Sequence, residues 1–282
     1  MILKALLNIP AYRSAFTNLV SLLRQHRELT LEMTKRELTD RYAGQVLGTL
    51  WVLMHPLLLM GVYVFVFVAV MKIKIEGEGT FTLPRDYTAY LLSGLTVWLA
   101  CQECLTKSAT SISSQANLVK QVVFPIEILP VRSVLSTAVT QLVSMSFLLI
   151  YLLIRYQALP WTVLLLPVLL FFQVIQFIGL GMMLASVGVY LRDVKDVVTV
   201  FGVVNMYLMP VIYLPAMAPG PFKPILYINP FSYMIWCYQD AWYFGRFEHW
   251  YAWIVYPLFS LFMFMAGYRV FRRVRIFFGN VL

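Results

Sequence analysis

Residues 40–71 read DRYAGQVLGTLWVLMHPLLLMGVYVFVFVAVM, and with His55 neutral no formal charge falls between Ala43 and Met71. At about 1.5 Å of rise per residue, about 20 residues cross a bilayer core of about 30 Å as a helix. Lys35, Arg36, Glu37, Asp40 and Arg41 precede the run, and Lys72 and Lys74 follow it. An apolar run bounded this way reads as a transmembrane helix that starts on the cytoplasmic side. At least four more such stretches follow, so the chain reads as polytopic rather than as a soluble fold with one buried helix.

Composition agrees. The chain has 282 residues, of which 61% are hydrophobic and 12% charged, where a soluble domain carries about 25% charged residues. The fold class expected is an all-α polytopic membrane protein. Residues 1–46 form a cytoplasmic amphipathic interface segment, and 47–282 form one transmembrane domain. Spans are placed at about 47–71, 87–106, 133–154, 161–191, 197–214 and 251–270. The opening MILKALLNIP has too short an apolar run for a cleaved signal peptide. With this placement, 16 of the 22 Lys and Arg fall on segments expected inside, which puts both termini in the cytoplasm. The same bias accounts for the net charge of +9 without a nucleic-acid partner.

Several local features are expected to matter. Tyr12, Phe16, Leu19, Val20 and Leu23 share one face of an amphipathic helix that lies on membrane lipids. Thr34 and Glu37 fit a capping box, and Glu32/Arg36 and Glu37/Arg41 fit i,i+4 ion pairs. Pro56 should kink the first span, and 72–86, with Gly77, Gly79 and Pro84, should be an outside loop. Glu103 and Lys107 read as a helix-end ion pair, with an ion- or proton-coupling carboxylate as the sharper alternative. In the inside loop 107–132 the helical part is expected to end at Pro125 and Pro130. Pro167 marks either a kink or the true start of the fourth span. Gly181 and Ala185 offer a face for close helix packing, and Gln173 and Gln176 should hydrogen-bond between helices.

Residues 215–250 behave differently, with five prolines and two apolar segments near 222–228 and 232–244 that are too short to cross. They read as an outer re-entrant helical hairpin, its second helix capped by Ser232. From Phe222 to Tyr251, twelve of 30 residues are aromatic, more than an interfacial belt requires. Rings with polar tips suit the C–H faces and hydroxyl edges of sugars.

Other chemistry is absent. There is no G-x-x-x-x-G-K-[ST] phosphate loop, and His26, His55 and His249 are scattered without metal-ligand spacing, so no catalytic or metal residue is assigned. Cys101-x-x-Cys104 reads as helix packing ahead of a redox or metal pair, and with Cys237 makes no disulfide framework. Asp240, Arg246, Glu248 and His249 form the best enzyme-like cluster, and the reading as interfacial residues is preferred there.

Arg41-Tyr42, Leu47-Gly48, Trp51 and Pro56 form the pattern RY-x4-LG-x2-W-x4-P, supported by Arg192-Asp193 and Asn229-Pro230. With these motifs the chain resembles the permease subunits of polysaccharide-export ABC transporters, which export O-antigen, capsule or teichoic acid polymers. That resemblance implies a homodimer of six-span subunits in the bacterial cytoplasmic (inner) membrane, paired with two ATPase subunits. ATP and Mg would be bound by that ATPase, and no cofactor is expected in this chain. It implies ATPase contacts at Ser114, Asn117, Lys120 and Phe124 and through the N-terminal helix. A lipid-linked glycan would pass between the first and fifth spans, past Trp51, Tyr63, Phe67, Phe201, Tyr207 and Tyr213. Tyr233, Trp236 and Trp242 would belong to the outer gate. Two alternatives remain: an ABC exporter of a small hydrophobic solute or lipid, and a glycan-transferring membrane enzyme built around Asp240 and His249.

Overall fold

A computed structural model describes residues 9–72, 86–122 and 124–281. Helices α1 (Ile9–Gln25) and α2 (Arg27–Asp40) lead to α3 (Trp51–Val64), which continues as a π-helical turn, Phe65–Val70. Next come α4 (Tyr87–Thr110), the short α5 (Ala116–Gln121), α6 (Ile128–Tyr156), α7 (Leu166–Tyr190) and α8 (Val194–Tyr207). The chain closes with α9 (Lys223–Ile228), α10 (Pro230–Gln239, extended by a π turn Asp240–Phe244), α11 (Ala252–Val274) and α12 (Phe278–Val281). No strand occurs among the described residues. Of the expected outside loop 72–86, residues 73–85 lie outside the described part.

Among the described residues, four stretches are long and apolar enough to cross a membrane: Gly48–Val70, Ile128–Tyr156, Trp161–Tyr190 and Ala252–Phe277. The expected second span, α4, has the length, about 36 Å at about 1.5 Å per residue. It carries Ser93, Thr96, Gln102, Glu103 and Thr106, because it is the centre of the bundle and faces protein rather than lipid. The expected fifth span departs more. Its helix α8 stops at Tyr207, and 208–214 is irregular around Pro210. Polar side chains satisfy the freed carbonyls. Tyr87 Oη donates to the Ile212 carbonyl (2.6 Å), Tyr90 Oη to those of Pro210 (2.9 Å) and Tyr213 (3.0 Å), and Gln239 Nε2 to Pro210 (2.6 Å). Non-helical backbone is tolerated at such depth where protein supplies the hydrogen bonds.

Contacts fix the helix directions. The C-terminal end of α4 meets α2, the start of α6 and the end of α7, and Arg275 pairs with Glu127 at the same end. We call this the basic end. At the opposite end, Asp86 caps α4 through the Ala89 amide (3.0 Å) and accepts a hydrogen bond from Tyr151 Oη (2.7 Å). Against α4, the ring of Phe231 lies 5.8 Å from Trp98, and that of Tyr243 lies 5.3 Å from Tyr90. Eight residues of α4 separate those levels, about 12 Å of rise. Helix α10 therefore climbs from inside the bundle toward the opposite end, with Asn229-Pro230 at its deep tip. Its cap is Asn229, whose Oδ1 accepts from the Phe231 amide (3.1 Å), and not Ser232, whose hydroxyl is buried without a partner.

Close packing is set by small residues. A Cβ at Gly267 of α11 would stand 1.9 Å from the Gly179 carbonyl oxygen of α7. One at Gly188 would stand 1.9 Å from the Ala109 carbonyl oxygen, and one at Gly181 2.8 Å from Ser108 Oγ, so the expected Gly181/Ala185 face packs on α4. Gln141 and Gln173 exchange hydrogen bonds of 2.9 and 2.7 Å between α6 and α7, and Ser260 Oγ reaches Gln176 (3.5 Å). Prolines sit in the first turns of two long helices: Pro130 in α6, where its missing N–H costs nothing, and Pro167 in α7. Pro130 therefore lies in the first turn of the third span's helix, which begins at Ile128, and does not end the loop helix, which stops at Gln121.

Candidate functional site: a charged cavity beside the first span

Helix α3 packs on the bundle through few residues: Met60 is the one buried residue between Gly48 and Val70, with Tyr63, Val64 and Phe67 half-buried against the core. At its basic end it walls a cavity of about 1040 Å³ that α2, α4, α6 and the segment Ser111, Ser114, Gln115 and Leu118 complete, with Thr199 of α8 at the margin. The α3 wall is Val52, His55, Pro56 and Leu59. Pro56 lies inside the helix and removes the hydrogen bond to the carbonyl of residue 52, on that same wall.

The facing wall is ionic. Arg41 and Lys107 share Glu103: Arg41 Nη1 is hydrogen-bonded to Glu103 Oε1, and Lys107 Nζ lies 3.0 Å from the same oxygen. Thr140 Oγ1 donates to Glu103 Oε2 (3.1 Å), and Lys107 Nζ donates to Ser136 Oγ (3.2 Å). Glu37 accepts from Ser136 Oγ (3.1 Å) and Ser133 Oγ (3.3 Å). Arg132 Nε lies 3.1 Å from Glu37 Oε2 but too far out of line to hydrogen-bond. Tyr42 is buried beneath Arg41, whose guanidinium stands 5.3 Å from its ring. Burial pushes its phenol above the usual value, Arg41 opposes, and Glu103 adds to the rise.

The expected Glu103–Lys107 pair thus forms, within a wider cluster. The expected Glu37/Arg41 pair does not: both side chains reach across to other helices. Arg36 pairs with Asp40 (3.9 Å) rather than Glu32, and Thr34, in mid-helix, donates to the Thr30 carbonyl (2.7 Å) instead of forming a capping box.

Among the path candidates, Trp51 opens α3 near the cavity, and Tyr63 and Phe67 stack farther along it (6.1 Å). Phe201 and Tyr207 are exposed on α8, and Tyr213 Oη donates to the Tyr207 carbonyl (2.8 Å). Gate candidates Trp236 and Trp242 are buried, whereas Tyr233 is half-buried and donates to the Tyr227 carbonyl (2.7 Å). Ser114, Asn117 and Lys120 are exposed around α5, with Phe124 half-buried. Of the motif residues, Arg41, Tyr42 and Pro56 line the cavity. Gly48 adopts a positive φ of 49° before α3, Arg192 and Asp193 lie exposed in the α7–α8 turn, and Asn229 donates to Asn205 Oδ1 (2.7 Å). Sequence spacing missed Asn205, Gln141 and Arg132; each acts across helices far apart in the chain.

The enzyme-like cluster divides: Arg246 Nε donates to Glu248 Oε2 (2.7 Å) at the surface, whereas Asp240 and His249 meet in the interior. Asp240 is fully buried and its two oxygens meet the His249 amide (3.0 Å), His249 Nδ1 (2.9 Å) and Trp253 Nε1 (3.0 Å). The His249 ring stacks on Trp236 at 5.2 Å. Cys101, Cys104 and Cys237 are buried free thiols, and no metal-ligating cluster occurs among the described residues.

Among the described residues, four helices long and apolar enough to span, packed with a polar cavity at one end, are those of a multi-pass membrane protein. Residues 28–243 match the ABC-2 type transporter family, and the chain belongs to that family. It is 26% identical over 257 residues to a Klebsiella pneumoniae O-antigen export system permease protein RfbA, covering 90% of this chain and 95% of that one. It is 27% identical over 227 residues to the Myxococcus xanthus protein of the same name, covering 80% and 84%.

Proposed function

We propose that this chain is the membrane-spanning permease subunit of an ABC transporter that exports a lipid-linked polysaccharide, of the O-antigen or capsule type, across the bacterial cytoplasmic membrane. The observation that carries this reading is the uncovered first span beside the charged cavity. A helix that its own chain leaves bare, next to a polar chamber, suits a wall shared with a second copy and a polar cargo. The exposed face of α8 (Val197, Val200, Phe201, Tyr207) is the other such wall, so a homodimer would enclose the path between α3 and α8. In this reading α3, α4, α6, α7, α8 with its irregular extension, and α11 are six spans, preceded by the interface segment 1–46. The basic end is cytoplasmic by the distribution of Lys and Arg, and α9–α10 form the re-entrant element at the outer face, with Tyr233 at its open side. A separate ATPase, two copies per dimer, would hold ATP and Mg and dock on α5 around Asn117 and Lys120.

Aromatic rings along the path would give each sugar a weak contact, which suits a long polymer better than one tight site. Export of a smaller lipid is the second reading, favoured by the apolar α3 wall of the cavity. Deleting the gene tests the choice. Loss of surface polysaccharide, with lipid-linked polymer accumulating inside and rescue by the intact gene, is expected. Unchanged surface polysaccharide would contradict the proposal.

A further inference from the structure

Charge does not balance on the cavity wall. Arg41, Lys107 and Arg132 stand against Glu37 and Glu103, and at the rim Arg36 and Asp40 cancel. Glu37 answers Arg132, so Glu103 alone answers both Arg41 and Lys107. The side chains of this group are 12% to 34% exposed. A shielded cation without a counter-charge is costly unless an anion joins it. Donors remain free for one: Lys107 has a third N–H beyond Glu103 and Ser136, and the Arg41 fork is only partly used. Phosphate oxygens suit such a pair of cations. The opposite wall sets His55 among the apolar Val52, Pro56 and Leu59 of α3, and Leu53 and Leu58 of the same helix are exposed on the outside of the bundle. An anion here would sit beside a surface made for hydrocarbon.

We propose that the cavity holds a phosphate group carried on a lipid, with Arg41 and Lys107 as its charge partners. The inference deepens the export reading, and rests on it only for which lipid is the natural occupant. Two sources share this chemistry, a bilayer phospholipid and the phosphate that would join a glycan to its lipid carrier. The cluster predicts opposite effects from two substitutions. Lys107→Met leaves two cations against two carboxylates and should weaken binding, by about tenfold, while Glu103→Gln adds to the excess charge and should tighten it. A merely structural cluster would lose in both.

The test is equilibrium binding to the full chain in phosphatidylcholine nanodiscs, with farnesyl diphosphate, dihexanoyl phosphatidylglycerol and inorganic diphosphate as probes. At least one lipid-borne probe should bind more tightly than inorganic diphosphate, with affinity falling as salt rises and the two variants shifting in opposite directions. Preference for farnesyl diphosphate would assign the site to the carrier, and preference for phosphatidylglycerol to the bilayer; either supports it. Arg41→Gln carries the same expectation as Lys107→Met should that variant fail to fold. No binding by either lipid probe, equal binding of inorganic diphosphate, or variants that shift in the same direction would overturn the proposal. No ATP or export enters this measurement, so its failure leaves the gene-deletion result standing.

Discussion

Gly179 and Gly267 set the distance between α7 and α11, because each backbone occupies the space a side chain would need on the other. Gly267→Val should lower the midpoint of thermal unfolding clearly, since overpacking costs about 1–3 kcal/mol even where neighbours yield. Gly181→Ala should cost less, because its neighbour is the Ser108 hydroxyl, which can rotate away. Thermal unfolding of the detergent-purified variants checks both, and a Gly267→Val protein as stable as the wild type would contradict this packing. The same scale shows why some pairs were legible in the sequence and others were not. Glu103 and Lys107 are one turn apart, so helical spacing finds them. Arg41 and Glu103 are 62 positions apart, so local spacing offered Glu37 as the partner instead. Thr34 and Ser232 had the residue type of a cap, but where each helix begins is decided by its tertiary surroundings.

At the scale of elements, apolar length exposed α3, α6, α7 and α11 from the sequence alone. The end of α8 was illegible for a physical reason. Leu208 to Leu214 reads as continuing span, yet Tyr87, Tyr90 and Gln239 from elsewhere in the chain hold its carbonyls and make an irregular path stable. Short α9 and α10 were visible through their prolines, and the depth of α10 against α4 through nothing local. The hairpin assignment predicts the topology of 215–250. Single cysteines at Gly220 and Arg246, both exposed, should react with a membrane-impermeant thiol reagent from the outer face. Arg246 serves better than Gly245, whose φ of 68° a side chain would strain. Native Cys101, Cys104 and Cys237 are buried, so background labelling should be low. Reaction of either engineered thiol only from the cytoplasmic side would invalidate the hairpin.

At the scale of the whole molecule, two features stand together: a bundle cemented around α4, and a bare α3 whose basic end opens on a charged cavity. The charge asymmetry on which the proposed orientation rests was legible from where Lys and Arg fall along the chain. The cavity was not, because its walls come from α2, α3, α4, α5 and α6 and only folding brings them together. The central claim is ATP-driven export of a lipid-linked glycan, and reconstitution tests it most directly. Proteoliposomes would carry the chain with its partner ATPase facing outward, with lipid-linked glycan in the outer leaflet, and accessibility to an impermeant glycosidase would be followed after ATP is added. The account predicts ATP-dependent loss of accessibility that requires both proteins. It also predicts several-fold slower loss when Tyr63, Tyr207 and Tyr213 are all replaced by Ala in a complex that still assembles and hydrolyses ATP. Glycan that stays fully accessible while the assembled wild-type complex hydrolyses ATP would contradict it.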